Sequence, residues 1–229
     1  MTTITKAKKK IYKKKRTYKA KAKKNTIQKP MVSLGKGFPD KLMATLKYRE
    51  YISLTSTTGI LQNYHFSANG LYDPNITGTG HQPMFFDQYM ALYNHYHVIG
   101  SKIKVTFLNS GSAGQASAVG VYLNDDSTTL STTYTAFSEQ PNVAMKIMGI
   151  GATDDREVIN YKYSAKKTFG GTVMSNNALR GSVSANPTEA VNYNVFLQTL
   201  DSLTTNTLFV WVELEYIAVF TELKDFAQS

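Results

Sequence analysis

The residues best suited to chemistry in this sequence are lysines, and they are concentrated near its amino-terminal end. Of the chain's 26 basic residues, 13 fall between positions 6 and 29, and no Asp or Glu occurs before position 40. Lysine ammonium groups are compact point charges that bind phosphate without a fixed geometry. We therefore predict that nucleic acid is bound by Lys6, Lys8, Lys9, Lys10, Lys13, Lys14, Lys15, Arg16, Lys19, Lys21, Lys23, Lys24 and Lys29.

The charge of the chain is segregated between this segment and the rest. The formal net charge is +10, so removing the 13 charges of the segment leaves −3 for residues 30–229, which carry 13 basic and 16 acidic residues. A basic tail on a mildly acidic body favours a polyanionic partner, nucleic acid before an anionic membrane surface.

Residues 1–36, which we call the basic arm, are too poor in apolar residues to form a core. Ile4, Ile11 and Ile27 are scattered, so we expect the arm alone to be disordered in water. Tyr12 and Tyr18 lie within the charge run and can stack on unpaired bases. The short basic runs are also typical of nuclear localisation signals, which predicts a nuclear import receptor as a partner and the nucleus as a location.

The remaining sequence, residues 37–229, is predicted to be one all-β domain. Apolar residues alternate with polar ones at period two, which indicates strands with one buried face. Glu50 interrupts the buried side of the first strand and predicts a bulge or an exit from the core there. A short helix is expected just after Pro83, at Met84–Tyr93. The predicted strands lie near Leu42–Leu54, Tyr64–Phe66, Ile99–Phe107, Ala116–Leu123, Asn142–Ile150, Glu157–Lys166, Val191–Leu197 and Leu208–Phe220.

About eight strands joined by long polar loops predict an eight-stranded antiparallel jelly-roll sandwich. Strand count and spacing alone do not separate this fold from an immunoglobulin-like sandwich. The most apolar segment, Leu208–Phe220, is interrupted by Glu213 and Glu215 and is too short to span a bilayer, so no membrane span is predicted.

Several short motifs then carry a family resemblance. They are Gly37–Leu42, Leu46–Tyr48, Phe66–Pro74, Gly80–Pro83, Phe86–Tyr89 and Gly100–Ile103. Together they resemble the capsid proteins of small circular Rep-encoding single-stranded DNA viruses, which are related to circoviruses. The resemblance covers roughly residues 37–107. The arm departs from the circovirus pattern, because it is rich in lysine where circovirus arms are typically rich in arginine.

The resemblance implies a jelly-roll subunit that assembles with its own copies into a small icosahedral shell, T=1, whose basic arms face a packaged single-stranded DNA genome. It implies a virion protein that enters the host nucleus during assembly. Two alternatives stay open. One is a cellular nucleic-acid-binding protein with a basic tail, whose folded surface should itself carry a basic patch. The other is a jelly-roll lectin or carbohydrate-active enzyme, which needs acids and aromatics clustered in one cleft.

Residues in the body offer weaker candidates. Lys102, Lys104, Lys166 and Lys167 could extend a nucleic-acid-binding surface. His95 and His97 lie two apart and could share a metal ion, but no third ligand is evident nearby. We predict no metal site and no cofactor.

Acidic pairs, glycine-containing segments and one glycosylation sequon are further candidate sites. Asp125–Asp126 and Asp154–Asp155 could join a calcium site between subunits, although such pairs are commonly turn formers. Gly149–Gly151 and Gly35–Gly37 lack the spacing of phosphate loops, and no nucleophile motif appears. Asn75–Thr77 is formally a glycosylation sequon, which we expect to remain an unmodified loop. With no Cys in the chain, thiol chemistry and disulfides are excluded, and we predict no enzymatic activity.

Overall fold

Two antiparallel sheets pack face to face in the part of the chain that the computed structural model describes, which is residues 37–109, 115–125, 130, 133–136, 138–149 and 156–225. Within these ranges the strands are β1 Lys41–Thr57, β2 Gln62–Ser67, β3 Tyr93–Asn109, β4 Ser117–Asn124, β5 Val143–Met148, β6 Arg156–Ser164, β7 Arg180–Gly181, β8 Asn192–Thr199 and β9 Thr205–Leu223. The helices are α1 Phe86–Leu92 and α2 Ala165–Phe169, with single 3₁₀ turns at Tyr134–Ala136, Val173–Ser175 and Asn177–Leu179.

The order of strands identifies the fold. The first sheet has the order β1-β9-β3-β6, and the two-residue β7 pairs with the start of β3, while the second sheet has the order β2-β8-β4-β5. Apart from the β4–β5 hairpin and the short β7, each strand is followed by one in the opposite sheet, as in a jelly roll. This confirms the predicted jelly-roll sandwich and separates it from the immunoglobulin-like alternative. The basic arm, with all 13 predicted nucleic-acid-binding residues, lies outside the described residues.

The alternation predicted for the longest strands is confirmed. Along β9 the even positions from Leu208 to Phe220 are buried and most odd positions are half-buried or exposed. Tyrosines contribute much of the core, and two of them donate their hydroxyl groups to backbone carbonyls. Tyr216 donates to the carbonyl of Ser67 at 2.7 Å, and Tyr193 donates to that of Ser101 at 3.1 Å. The core accepts Tyr193 and Tyr216 because their hydroxyls reach acceptors, whereas the buried hydroxyl of Tyr163 has no hydrogen-bond partner among the described residues.

The bulge predicted at Glu50 is wrong. β1 pairs with β9 in unbroken register from Lys41 to Thr57, and Glu50 stays on the inward side. It is held there because the Asn75 amide donates to both of its carboxylate oxygens at 2.9 Å and the Tyr48 hydroxyl donates to Oε2. The register shift occurs instead in β3, between Val98 and Gly100. A hydrogen-bonded carboxylate can remain inside without distorting the strand.

The two helices differ from the predictions in extent and number. The predicted helix at Met84–Tyr93 is confirmed but spans only Phe86–Leu92, because Phe85 has φ 73° and Tyr93 is extended. α2 was not predicted, and it ends β6 at Ser164 rather than at Lys166. Its five residues form little more than one turn, which is too short to show helical periodicity in the sequence.

Close packing across the second sheet leads to a test of the fold at Gly120. A Cβ atom there would lie 2.3 Å from Cζ of Phe196 and 2.7 Å from the carbonyl oxygen of Ala144. We expect Gly120→Ala to lower the free energy of unfolding by about 1–3 kcal/mol through overpacking, measured by urea denaturation followed by circular dichroism. Gly37→Ala, where the added atom meets nothing within 4 Å, is the matched control, and equal effects of the two changes would contradict this packing.

Candidate nucleic-acid interface

The outer face of the first sheet carries a groove of about 690 Å³ whose charged lining is mostly cationic. We call it the basic groove and define it by its six cations: Lys47, Arg49, Lys102, Lys104, Lys162 and Lys167. Because side chains on a strand alternate between faces, cations two apart on one strand share this side. The groove arises because β1 and β3 each present two cations at the same level, and β6 and α2 add one each.

Strand register arranges these side chains in two cross-strand rows. In the first row Lys47, Glu215, Lys102 and Lys162 lie side by side on β1, β9, β3 and β6. In the second row the corresponding residues are Arg49, Glu213, Lys104 and Asn160. Both acids therefore come from β9, and each has a cation on either side.

Ion pairs join the two acids to half of the cations. Glu213 accepts from Lys104 at 2.8 Å and lies 3.2 Å from Arg49, and Glu215 lies 2.9 Å from the ammonium of Lys102. The hydrogen bond from Lys104 is the main cause that lowers the pKa of Glu213, so this carboxylate is charged at neutral pH. These pairs fix the cationic side chains in place, although exposed pairs add little to stability.

Positive charge remains in excess after pairing. The ammonium groups of Lys47, Lys162 and Lys167 make no ion pair or hydrogen bond with any residue that the structure describes. Six cations against two carboxylates leave the groove with a formal surplus of +4. A surface of this kind attracts polyanions. The net negative body thus has a concentrated positive face.

The structure brings together three of the four body lysines suggested by sequence. Lys102, Lys104 and Lys167 line the basic groove, while Lys166 does not. Sequence reasoning missed Lys47, Arg49 and Lys162, although all three stand on the outward side of predicted strands. The alternation that places them on the outward side is visible in the sequence. Their nearness to Lys102, however, depends on which strands are neighbours in the sheet.

His95 and His97 lie in different surroundings and are not brought together at one metal site. His95 Nε2 lies 3.3 Å from Glu222, which also lies 3.4 Å from Arg180. His97 is 3% exposed, and neither of its ring nitrogens has a hydrogen-bond partner among the described residues. It lines a separate cavity of about 460 Å³. Burial is the main cause that lowers the pKa of His97, the positive charges of Arg180 and Lys41 lower it further, and the carboxylate of Glu222 partly offsets them.

No set of three or more His, Asp or Glu side chains suited to a metal ion occurs within the described ranges. Of the acids proposed for calcium, only Asp125 is described, and Asp126, Asp154 and Asp155 fall outside the described residues. The glycines at positions 35 and 151 also fall outside them. No helix in the described part of the chain has the length and apolar character to cross a membrane.

Asn75, the asparagine of the sequon, is held in a hydrogen-bond network inside the protein. The Asn75 side chain is fully buried, and its amide donates to Glu50 and to the hydroxyl of Tyr64 at 2.9 Å. Its carbonyl oxygen accepts from the hydroxyl of Thr77 at 2.6 Å. A glycan cannot be attached to this nitrogen without breaking the network.

No protein-family model and no curated protein matches the chain. Among solved structures the chain is similar to the decameric BFDV capsid protein, with 11% identity and a TM-score of 0.45 over 80% of this chain and 99% of that one. It is also similar to Mud crab tombus-like virus, with 14% identity and a TM-score of 0.45 over 97% and 96%. A third similar structure is the semi-empty virus-like particle of Macrobrachium rosenbergii nodavirus, with 10% identity and a TM-score of 0.43 over 82% and 97%. Since these TM-scores are below 0.5, the fold assignment rests on this chain's own strand order.

The buried imidazole of His97 predicts a loss of stability in acid. Burial lowers the pKa of His97 in the folded state below the ordinary value of about 6.5, so the unfolded chain binds the proton more readily. Stability is therefore full above about pH 6.5 and declines as the pH falls through the lowered folded value. We expect His97→Gln to narrow the difference in melting temperature between pH 7.5 and pH 5. The exposed His81→Gln should keep the wild-type difference, and a His97→Gln variant that keeps it too would contradict this assignment.

Proposed function

We propose that this chain is the coat protein of a small icosahedral virus. It assembles with its own copies into a closed T=1 shell and packages single-stranded DNA through its basic arm. The observation that carries the proposal is the combination of a jelly-roll body with a segregated run of 13 arm cations. A shell subunit needs a rigid body for contacts with other copies and a separate cationic segment for the genome. In this proposal the protein is structural, resides in the virion and enters the host nucleus during assembly.

Exposed apolar residues on ordered loops support self-assembly. At one end of the sandwich, Ile60, Leu200 and Leu203 are 54%, 45% and 85% exposed. Backbone and side-chain hydrogen bonds tie their two loops together, from Thr58 N to the carbonyl of Thr204 at 3.1 Å and from Gln198 Nε2 to that of Gly59 at 2.6 Å. Apolar side chains held at fixed positions in water are typical of protein contact sites.

Sequence-independent charge neutralisation supports packaging by the arm. Lysines bind phosphates of any sequence, and a genome must be covered along its whole length. The same short basic runs are the basis for proposing a nuclear import receptor as a transient partner.

A second candidate function has one observation in its favour. A cellular nucleic-acid-binding protein with a basic tail should carry a basic patch on its folded surface, and the basic groove is such a patch. This candidate differs from a coat protein in remaining a monomer or dimer. The lectin or glycosidase alternative gains nothing from the groove, because its charged lining is mainly cationic rather than acidic.

The test of assembly is electron microscopy of the purified full-length protein, with the ultraviolet absorbance of the same fraction. We expect uniform closed shells whose absorbance at 260 nm is raised by nucleic acid. A monodisperse monomer or dimer under conditions that retain nucleic acid would count against the coat function and favour the cellular binding protein.

The role of the arm is tested by salt dependence. Replacing six arm lysines, Lys8, Lys9, Lys10, Lys13, Lys14 and Lys15, by Gln in the full-length chain should make the log–log dependence of single-strand affinity on salt shallower by up to about four. The expected change follows from about 0.7 counterions released per phosphate contact on a single strand. An unchanged slope, with an unchanged melting temperature as the folding control, would remove the arm from the binding mechanism.

A further inference from the structure

A stripe of exposed aromatic side chains continues from the basic groove along the same sheet face. We call it the aromatic stripe, and it consists of Tyr51, Trp211 and Phe209, which are 53%, 40% and 37% exposed. Tyr51 and Trp211 are direct cross-strand partners on β1 and β9. The rings of Tyr51 and Phe209 lie 5.6 Å apart between centroids, tilted by 45°. Three large aromatic side chains thus occupy neighbouring positions on one exposed face.

The stripe adjoins the cations directly. Tyr51 and Trp211 form the row next to Arg49 and Glu213, two residues further along the same strands, which corresponds to about 7 Å on a strand. Beyond the rings, Arg156 stands opposite Leu108 and closes the face with another exposed cation. Positive charge therefore lies on both sides of the aromatic stripe.

We propose that the basic groove and the aromatic stripe together form a binding surface for single-stranded nucleic acid on the folded body, separate from the arm. Phosphates bind at the unpaired ammonium groups of Lys47, Lys162 and Lys167, and unpaired bases stack on Tyr51, Trp211 and Phe209. Its use in packaging rests on the coat function proposed above, whereas the binding itself does not.

The chemistry of this face selects single strands over duplexes. Cations alone bind any polyanion, because phosphate carries the charge in every nucleic acid. Aromatic rings add affinity only when bases are unstacked and free to lie against them, and every base has a face that can do so. A duplex keeps its bases stacked inside, so it can occupy the groove but not the stripe. The surface should therefore bind single strands more tightly than duplexes, whatever their base sequence.

Charge favours nucleic acid over a second copy of the chain as the occupant. Two copies that met through the same face would place one +4 groove against another, and like charges in an interface oppose association. A single-stranded nucleic acid supplies phosphates for the cations and unstacked bases for the rings.

The chain has a built-in reporter for this surface, because Trp211 is its single tryptophan. The experiment titrates full-length protein with oligo(dT), with a duplex of equal phosphate content and with inorganic polyphosphate, and follows tryptophan emission. Binding of each is measured independently by competition against a fluorescein-labelled oligonucleotide. We expect saturable quenching with oligo(dT), and little change with the duplex or polyphosphate although both bind.

Variants of the stripe complete the test. Tyr51→Ala and Phe209→Ala should each weaken the oligo(dT) affinity read from Trp211 by about 5- to 100-fold, the effect of losing one stacked base. Both should leave the affinity for polyphosphate unchanged, once the weaker binding of the labelled oligonucleotide is included in the analysis of the competition. Met43→Ala is the matched control, since Met43 is 66% exposed on the same face of β1 but lies away from the rings.

Three results would overturn the proposal. The first is oligo(dT) binding that leaves Trp211 emission unchanged, which would confine binding to the arm. The second is quenching to the same extent by polyphosphate. The third is a Trp211 shift that follows protein concentration without nucleic acid, which would make the stripe a contact between copies. Failure to form shells would instead refute the coat function alone, because the Trp211 signal does not depend on assembly.

Discussion

The pairing of β9 between β1 and β3 is the constraint on which the rest of the structure depends. This 19-residue strand pairs with β1 along 17 residues and with β3 on its other edge. Its inward side chains, including Tyr216 and Phe220, form the centre of the core. Its outward side chains supply both carboxylates of the basic groove and two rings of the aromatic stripe. One strand therefore sets the core and the candidate binding face together.

The two acids of β9 allow many cations to share one sheet face. Lys102 and Lys162 are direct cross-strand partners, and like charges in that position oppose each other. Glu215, on the other side of Lys102, offsets part of this repulsion through an ion pair at 2.9 Å. Glu213 does the same for Arg49 and Lys104. The face keeps a positive surplus because the acids are fewer than the cations, so it is ordered and still attractive to phosphate.

The arm and the sheet face suit two different modes of binding. In the proposed function, the 13 cations between Lys6 and Lys29 bind phosphates of any sequence through charge alone. The sheet face has fixed rows of cations and rings, so it can discriminate between exposed and hidden bases. The proposed coat function uses both, because a genome must be neutralised in bulk and also held against the shell.

The sequence by itself determined the fold class, the faces of the long strands and the location of the arm cations, because period-two alternation and charge segregation are local properties of the chain. It also predicted α1, apart from its ends. It did not predict that Glu50 remains inside, since the Asn75 amide that binds it lies 25 residues away. It grouped Lys102, Lys104, Lys166 and Lys167 as a possible extension of the nucleic-acid-binding surface, and three of these four line the basic groove. Tertiary structure alone decided that Lys47, Arg49 and Lys162 join them, because alternation tells which side of a strand a residue occupies but not which strand lies beside it.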